Sequence, residues 1–94
     1  MQEYEKAFAD INDSIELNPD NAYQYYICGK IYYEVGEYEN AVADFSKAVE
    51  LNLDKDYIYH ARGLAYEKLG EAAKAQVDLN KARELLFNAE NFDG

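Results

Sequence analysis

Ninety-four residues are enough for one small domain and too few for two, because single domains run to roughly 100 to 200 residues. Nineteen acidic side chains against nine basic ones leave a net charge of −10, so a phosphate backbone meets net repulsion and nucleic acid is not an expected partner. With 49% hydrophobic and 30% charged residues and no long uncharged run, the chain is neither a disordered acidic tail nor a membrane span. A single cysteine cannot form an internal disulfide, and MQEYEKAF has neither the basic start nor the apolar core of a secretory signal, so the cytoplasm is the expected compartment.

Apolar residues recurring at three and four spacings predict five helices. The first, EYEKAFADINDSIEL, stops before Asn18-Pro19-Asp20, because proline cannot continue a helix. Asp20 and Asn21 can accept from free backbone N–H groups and open the second helix, which runs to Val35; Gly36 tolerates the left-handed backbone that closes it. The third, EYENAVADFSKAVEL, returns antiparallel. Leu53 stands where Pro19 stands earlier, so the turn into the fourth helix is expected to rely on Asp54 and Asp56 as caps. Gly70 closes the fourth helix, and the fifth should continue past Leu85 into FNAENF, since Leu86 and Phe87 replace the usual breakers.

The chain also repeats itself. Residues 22–53 laid on residues 56–87, an offset of 34, are identical at 12 of 32 positions, and residues 3–20 laid on 37–54 agree at 10 of 18. A fixed period of this size marks stacked supersecondary units. The expected divisions of this single domain are residues 1–19 as the second helix of a partial copy, 20–53 and 54–87 as complete copies, and 88–94 as a tail or helix extension.

Within the middle copy the repeated positions read Tyr25-x-x-Cys28-Gly29-x-x-Tyr32, then Ala41-x-x-x-Phe45, then Leu53. The last copy reads Tyr59-x-x-Arg62-Gly63-x-x-Tyr66 with Ala75-x-x-x-Leu79. This resembles the tetratricopeptide repeat family over residues 3 to 86, with Arg62, Leu79 and the missing proline at Leu53 as departures. The resemblance implies an all-α fold in which antiparallel helix-turn-helix units stack as a solenoid. The residues supply their own reason: Gly29, Gly63, Ala41 and Ala75 let paired helices approach, while Tyr32, Phe45, Tyr66 and Leu79 fill the wider spaces.

The outward stripe on the second helix of each copy is Phe8 with Ile15, then Val42 with Val49, then Gln76 with Arg83. Its change from apolar to polar reads as a cap at the last copy. At the first half copy a face bearing Tyr4, Ala7 and Ile11 lacks its pairing helix, which points to a piece of a longer stack or to self-association through Phe87 and Phe92 of a second chain.

No catalytic constellation is present, so an enzyme is not expected, and neither a cofactor nor a metal site is implied. Cys28 sits at an apolar repeat position and reads as a buried thiol, and it should point away from His60, the one histidine. Asn12-Asp13-Ser14 matches a glycosylation triplet, but Ser14 occupies the small-residue position shared with Ala48 and Ala82. Asp54 and Asp56 lack the spaced oxygen ligands of a calcium loop.

One surface stands out. Tyr23, Tyr26, Lys30 and Tyr33 share a helix face, and their counterparts are Tyr57, His60, Leu64 and Glu67, with Lys68 beside them. The family resemblance implies that this face lines a concave groove for extended peptides or partner helices. The expected function is therefore a protein–protein interaction scaffold, and the alternative is a self-assembly element. The groove lacks a recognisable carboxylate clamp, so a basic or apolar peptide or protein fits it best. His60, with an ordinary pKa of about 6.5, would bring a positive charge among the aromatic rings on mild acidification.

Overall fold

A computed structural model describes the backbone of residues 2–90 and the side chains of residues 4–88. Among these residues there are five helices and no strand: α1 (Gln2–Leu17), α2 (Ala22–Glu34), α3 (Tyr38–Glu50), α4 (Asp56–Lys68) and α5 (Ala72–Glu90). The fifth helix passes Leu85 and runs on to Glu90, while Phe92 and the rest of the expected tail lie outside the described residues.

Local chemistry sets the boundaries. The Asn21 side chain accepts from the Tyr23 N–H at 3.1 Å and starts α2. Gly36 and Gly70 close α2 and α4 with φ of +85° and +76°. In each case the next residue's N–H reaches five residues back in the closing turn, from Glu37 to the Tyr32 carbonyl and from Glu71 to the Tyr66 carbonyl, both at 2.9 Å.

The turn between α3 and α4 departs from the expectation. Neither Asp54 nor Asp56 caps α4: Lys55 holds the N-cap position without a side-chain bond, Asp56 is already helical, and Asp54 instead accepts from the Tyr59 hydroxyl at 3.1 Å. What closes α3 is Asn52, the one non-glycine residue with positive φ among those described, at 75°. Its N–H bonds to the Val49 carbonyl, and that of Leu53 bonds to Ala48. At the equivalent Asn18 the following proline biases the backbone toward extended forms, so the two turns use the same asparagine differently.

Packing runs in chain order, with α2 against α3, α3 against α4, and α4 against α5, while α1 joins at α2. The fully enclosed core lies between α3 and α4, where Ala41, Ala48, Ile58 and Ala65 have no exposed surface and Phe45 has 1%. Gly29 is obligatory for the α2–α3 approach, since a Cβ there would stand 2.6 Å from the Phe45 ring. Phe8 meets Tyr32 at 4.6 Å between ring centroids, fixing α1 on α2. Val42 and Val49 pack on the core, whereas Gln76 and Arg83 are exposed and both donate to the Asn80 side-chain oxygen.

Candidate binding groove

Helices α2 and α4 lie side by side with α3 behind them, and aromatic rings line the crease between them. Tyr26, Lys30 and Tyr33 of α2 and Tyr57, His60 and Leu64 of α4 line a half-open cavity of about 190 Å³, floored by Phe45. Six of the eight groove residues expected from the sequence thus meet in one place. Tyr23 borders an adjoining recess with Tyr26, Lys30 and Tyr57, and Lys68 is exposed in the last turn of α4, lining neither recess.

Tyr26 is the hub. Its ring centroid is 5.6 Å from that of Tyr23, 4.9 Å from Tyr57 and 6.0 Å from Phe45, and the Lys30 ammonium sits 5.3 Å above it. Tilted arrangements at these distances are favourable, and they fix the rings before any partner arrives. Tyr33 is held edge-on against Tyr38 at 5.2 Å. Burial raises the Tyr57 phenol above its usual range, with Tyr23, Tyr26 and Asp56 adding to the effect, so it remains a neutral hydrogen-bond donor.

Two further lining residues, Glu34 and Ala61, were legible as the next four-residue steps from Lys30 and Tyr57 but do not attract attention as residue types. Glu34 stands at the mouth and makes no ion pair among the described residues. Ala61 leaves the space that the cavity occupies.

Sequence reading also missed a buried ion pair. Arg62 donates through Nε to Asp78 Oδ2 at 2.7 Å and through Nη2 to Oδ1 at 2.9 Å, while its Nη1 reaches Ser46 Oγ at 3.2 Å. Asp78 is only 3% exposed. The hydrogen bonds that Arg62 donates to Asp78 raise the arginine's pKa further, outweighing the opposing effect of burial. The available signal was Asp10, Asp44 and Asp78 recurring at the repeat offset. In the middle copy the equivalent pair is Cys28 and Asp44. Burial, with Asp44 alongside, pushes the thiol up to about 12, so Cys28 is inert near neutrality, buried where His60 is exposed.

The candidate self-association residues occupy opposite ends of the stack. Tyr4, Ala7 and Ile11 are half-buried on α1, Phe87 on α5 is 63% exposed, and Phe92 lies outside the described residues. Among the described residues, the most exposed large apolar side chain is Leu17, at 88%. Among the described residues no helix is long and apolar enough to cross a membrane, and no group of three metal-ligating side chains occurs.

Antiparallel helix pairs stacked in sequence, with a preformed aromatic groove across them, define a helical-repeat binding scaffold. A family model described as TPR repeat matches residues 29–70 and one described as tetratricopeptide repeat matches residues 57–85. Together they span more than half of the chain, which belongs to the tetratricopeptide repeat family. That family is typically a non-enzymatic scaffold for protein–protein interaction. No curated protein sequence matches the chain.

Among solved structures, a crystal structure of MamA superposes with a TM-score of 0.89 at 28% identity, over 96% of this chain and 53% of that one. A second MamA structure gives 0.85 at 27% identity, over 98% and 50%. The second TPR of Spaghetti (RPAP3), bound to the HSP90 peptide SRMEEVD, gives 0.83 at 26% identity, over 87% and 76%. The chain spans about half the length of the MamA structures it matches.

Proposed function

We propose that this chain captures a peptide or partner helix in the crease between α2 and α4, with Tyr23, Tyr26, Lys30, Tyr33, Tyr57, His60 and Leu64 as the contact surface. The carrying observation is the preformed ring cluster, in which Tyr26 and Tyr57 from successive copies meet at 4.9 Å over a half-open cavity. Rigid aromatic side chains already locked by packing contribute contact area with little further loss of entropy. The RPAP3 structure, bound to a peptide, supports a peptide as the kind of partner. Its acidic peptide suits this chain poorly, given the net charge of −10 and a groove in which Lys30 lies among tyrosines without asparagine.

Selection of peptides from a displayed random library on the immobilised chain tests the proposal, with SRMEEVD as a control. Tyr23→Ala and Tyr57→Ala should each weaken the selected peptides by about tenfold or more at unchanged helicity, a loss typical of interface aromatics. Unaltered affinity in both variants would remove the groove from the argument, and so would tight binding of SRMEEVD in preference to basic peptides.

A further inference from the structure

Resting on the groove reading, we infer that the cavity at the centre of the crease is an anchor pocket for one large apolar side chain, of leucine or methionine type, flanked in the partner peptide by lysine or arginine. Size argues first. At about 190 Å³ the cavity is comparable with an apolar cavity of about 150 Å³ that holds a benzene molecule, which suits one large side chain better than a whole helix face.

The lining argues second. The floor is Phe45, which is 1% exposed, beside Ala61 and Leu64, and Tyr26, Tyr33 and Tyr57 line the cavity around them. These floor groups offer a polar side chain no partner; the polar groups of the lining belong to the tyrosines, His60, Lys30 and Glu34, so an apolar side chain suits the floor better than a hydroxyl or amide. Charge argues third. At the mouth Lys30 is engaged with the Tyr26 ring, whereas the Glu34 carboxylate has no ionic partner among the described residues. A base beside the anchoring side chain would meet Glu34, and the wider field of a chain carrying −10 favours the same sign.

The cavity exists because residue 61 is alanine. Its methyl and the Leu64 methyls therefore report occupancy directly, whichever partner is used. The probes are three blocked pentapeptides with Lys-Leu-Lys, Lys-Ala-Lys or Glu-Leu-Glu at the centre, titrated to millimolar concentration against methyl NMR signals of the chain. The Lys-Leu-Lys peptide should saturate the Ala61 and Leu64 shifts at about tenfold lower concentration than Lys-Ala-Lys, since burial of a leucine side chain is worth roughly that factor or more, and at lower concentration than Glu-Leu-Glu, whose flanking carboxylates Glu34 repels. Ala61→Leu fills the pocket from within and should abolish the difference between the leucine and alanine probes. Leu64→Ala enlarges it and should move the preference from Lys-Leu-Lys toward a Lys-Phe-Lys probe, which keeps the test open if Ala61→Leu fails to fold.

Equal responses to the three probes, or none at these methyls, would overturn the anchor pocket. The groove reading is decided separately by the library selection. Shifts confined to the aromatic ring signals of Tyr23 and Tyr57, followed in the same titrations and indifferent to the central residue, would leave the groove standing without the pocket.

Discussion

The two complete copies solve the same packing problem with different chemistry at one pair of positions. Where the middle copy has Cys28 beside Asp44, the last copy has Arg62 gripping Asp78 through two nitrogens and reaching back to Ser46. Burial raises the Asp44 pKa, against a smaller lowering influence of the thiol, whereas the Asp78 carboxylate faces a full guanidinium. A repeat therefore transmits backbone geometry faithfully while leaving the polar interior free to diverge. The arginine also ties α3 to α4 and α5, so the divergent copy is the one that clamps its neighbour.

Breaking the clamp is the largest effect expected. Arg62→Ala leaves a carboxylate that is 3% exposed without its counter-ion and should cost about 3 to 5 kcal/mol in chemical denaturation. The double variant Arg62→Met with Asp78→Leu should recover most of that loss, because removing both charges also removes their desolvation. A single variant of wild-type stability would mean that the pair contributes nothing.

The helix-contact glycines sharpen the comparison at a lower magnitude. A Cβ on Gly29 would stand 2.6 Å from the enclosed Phe45 ring, whereas one on Gly63 would stand 2.9 Å from the branched end of Leu79, which can turn aside. Overpacking typically costs about 1 to 3 kcal/mol, against a helix-propensity gain of about 1 kcal/mol for glycine to alanine. Gly29→Ala should accordingly lose about 1 to 2 kcal/mol and Gly63→Ala should be near neutral. Equal melting temperatures for the two would contradict the packing account.

The smallest effect concerns Asp44. Its folded pKa is raised, so the folded state holds this proton more tightly than the unfolded chain, and the associated stability is present in acid and lost as pH rises from the ordinary carboxylate range through the raised value. Asp44→Asn should therefore raise the melting temperature modestly at pH 7 and flatten its fall between pH 4 and 7. A variant that melts lower than wild type at pH 7 would show instead that the carboxylate is a net asset to the middle copy.

Most of the fold was legible because helical repeats write their geometry in short-range spacing. Gly36 and Gly70 announced the helix ends, and the small residues Gly29, Ala41 and Ala48 announced the close contacts. The α3–α4 turn was misread because Asp54 and Asp56 have the composition of caps, while the residue that bends the chain, Asn52, does so through its backbone and not through its side chain. The groove face was legible from spacing along α2 and α4, but its depth was not. Depth arises where Ala61 fails to fill a space bounded by Phe45 on another helix, and no one-dimensional pattern records that juxtaposition. The Arg62–Asp78 pair was hidden for a similar reason, since its partners stand 16 residues apart on different helices.

The sequential order of packing carries a mechanical consequence. Because each helix rests on its immediate predecessors and, among the described residues, no contact bridges α1 and α5, the stack has no closing keystone there, and tension or thermal fraying works inward one helix at a time. The last part to yield is the α3–α4 seam that holds Phe45 and Ile58, which also forms the back wall of the crease. Grip on a partner would then survive the loss of α1 or α5 but not of α2, which carries Tyr26, Lys30 and Tyr33 and yields before the seam does.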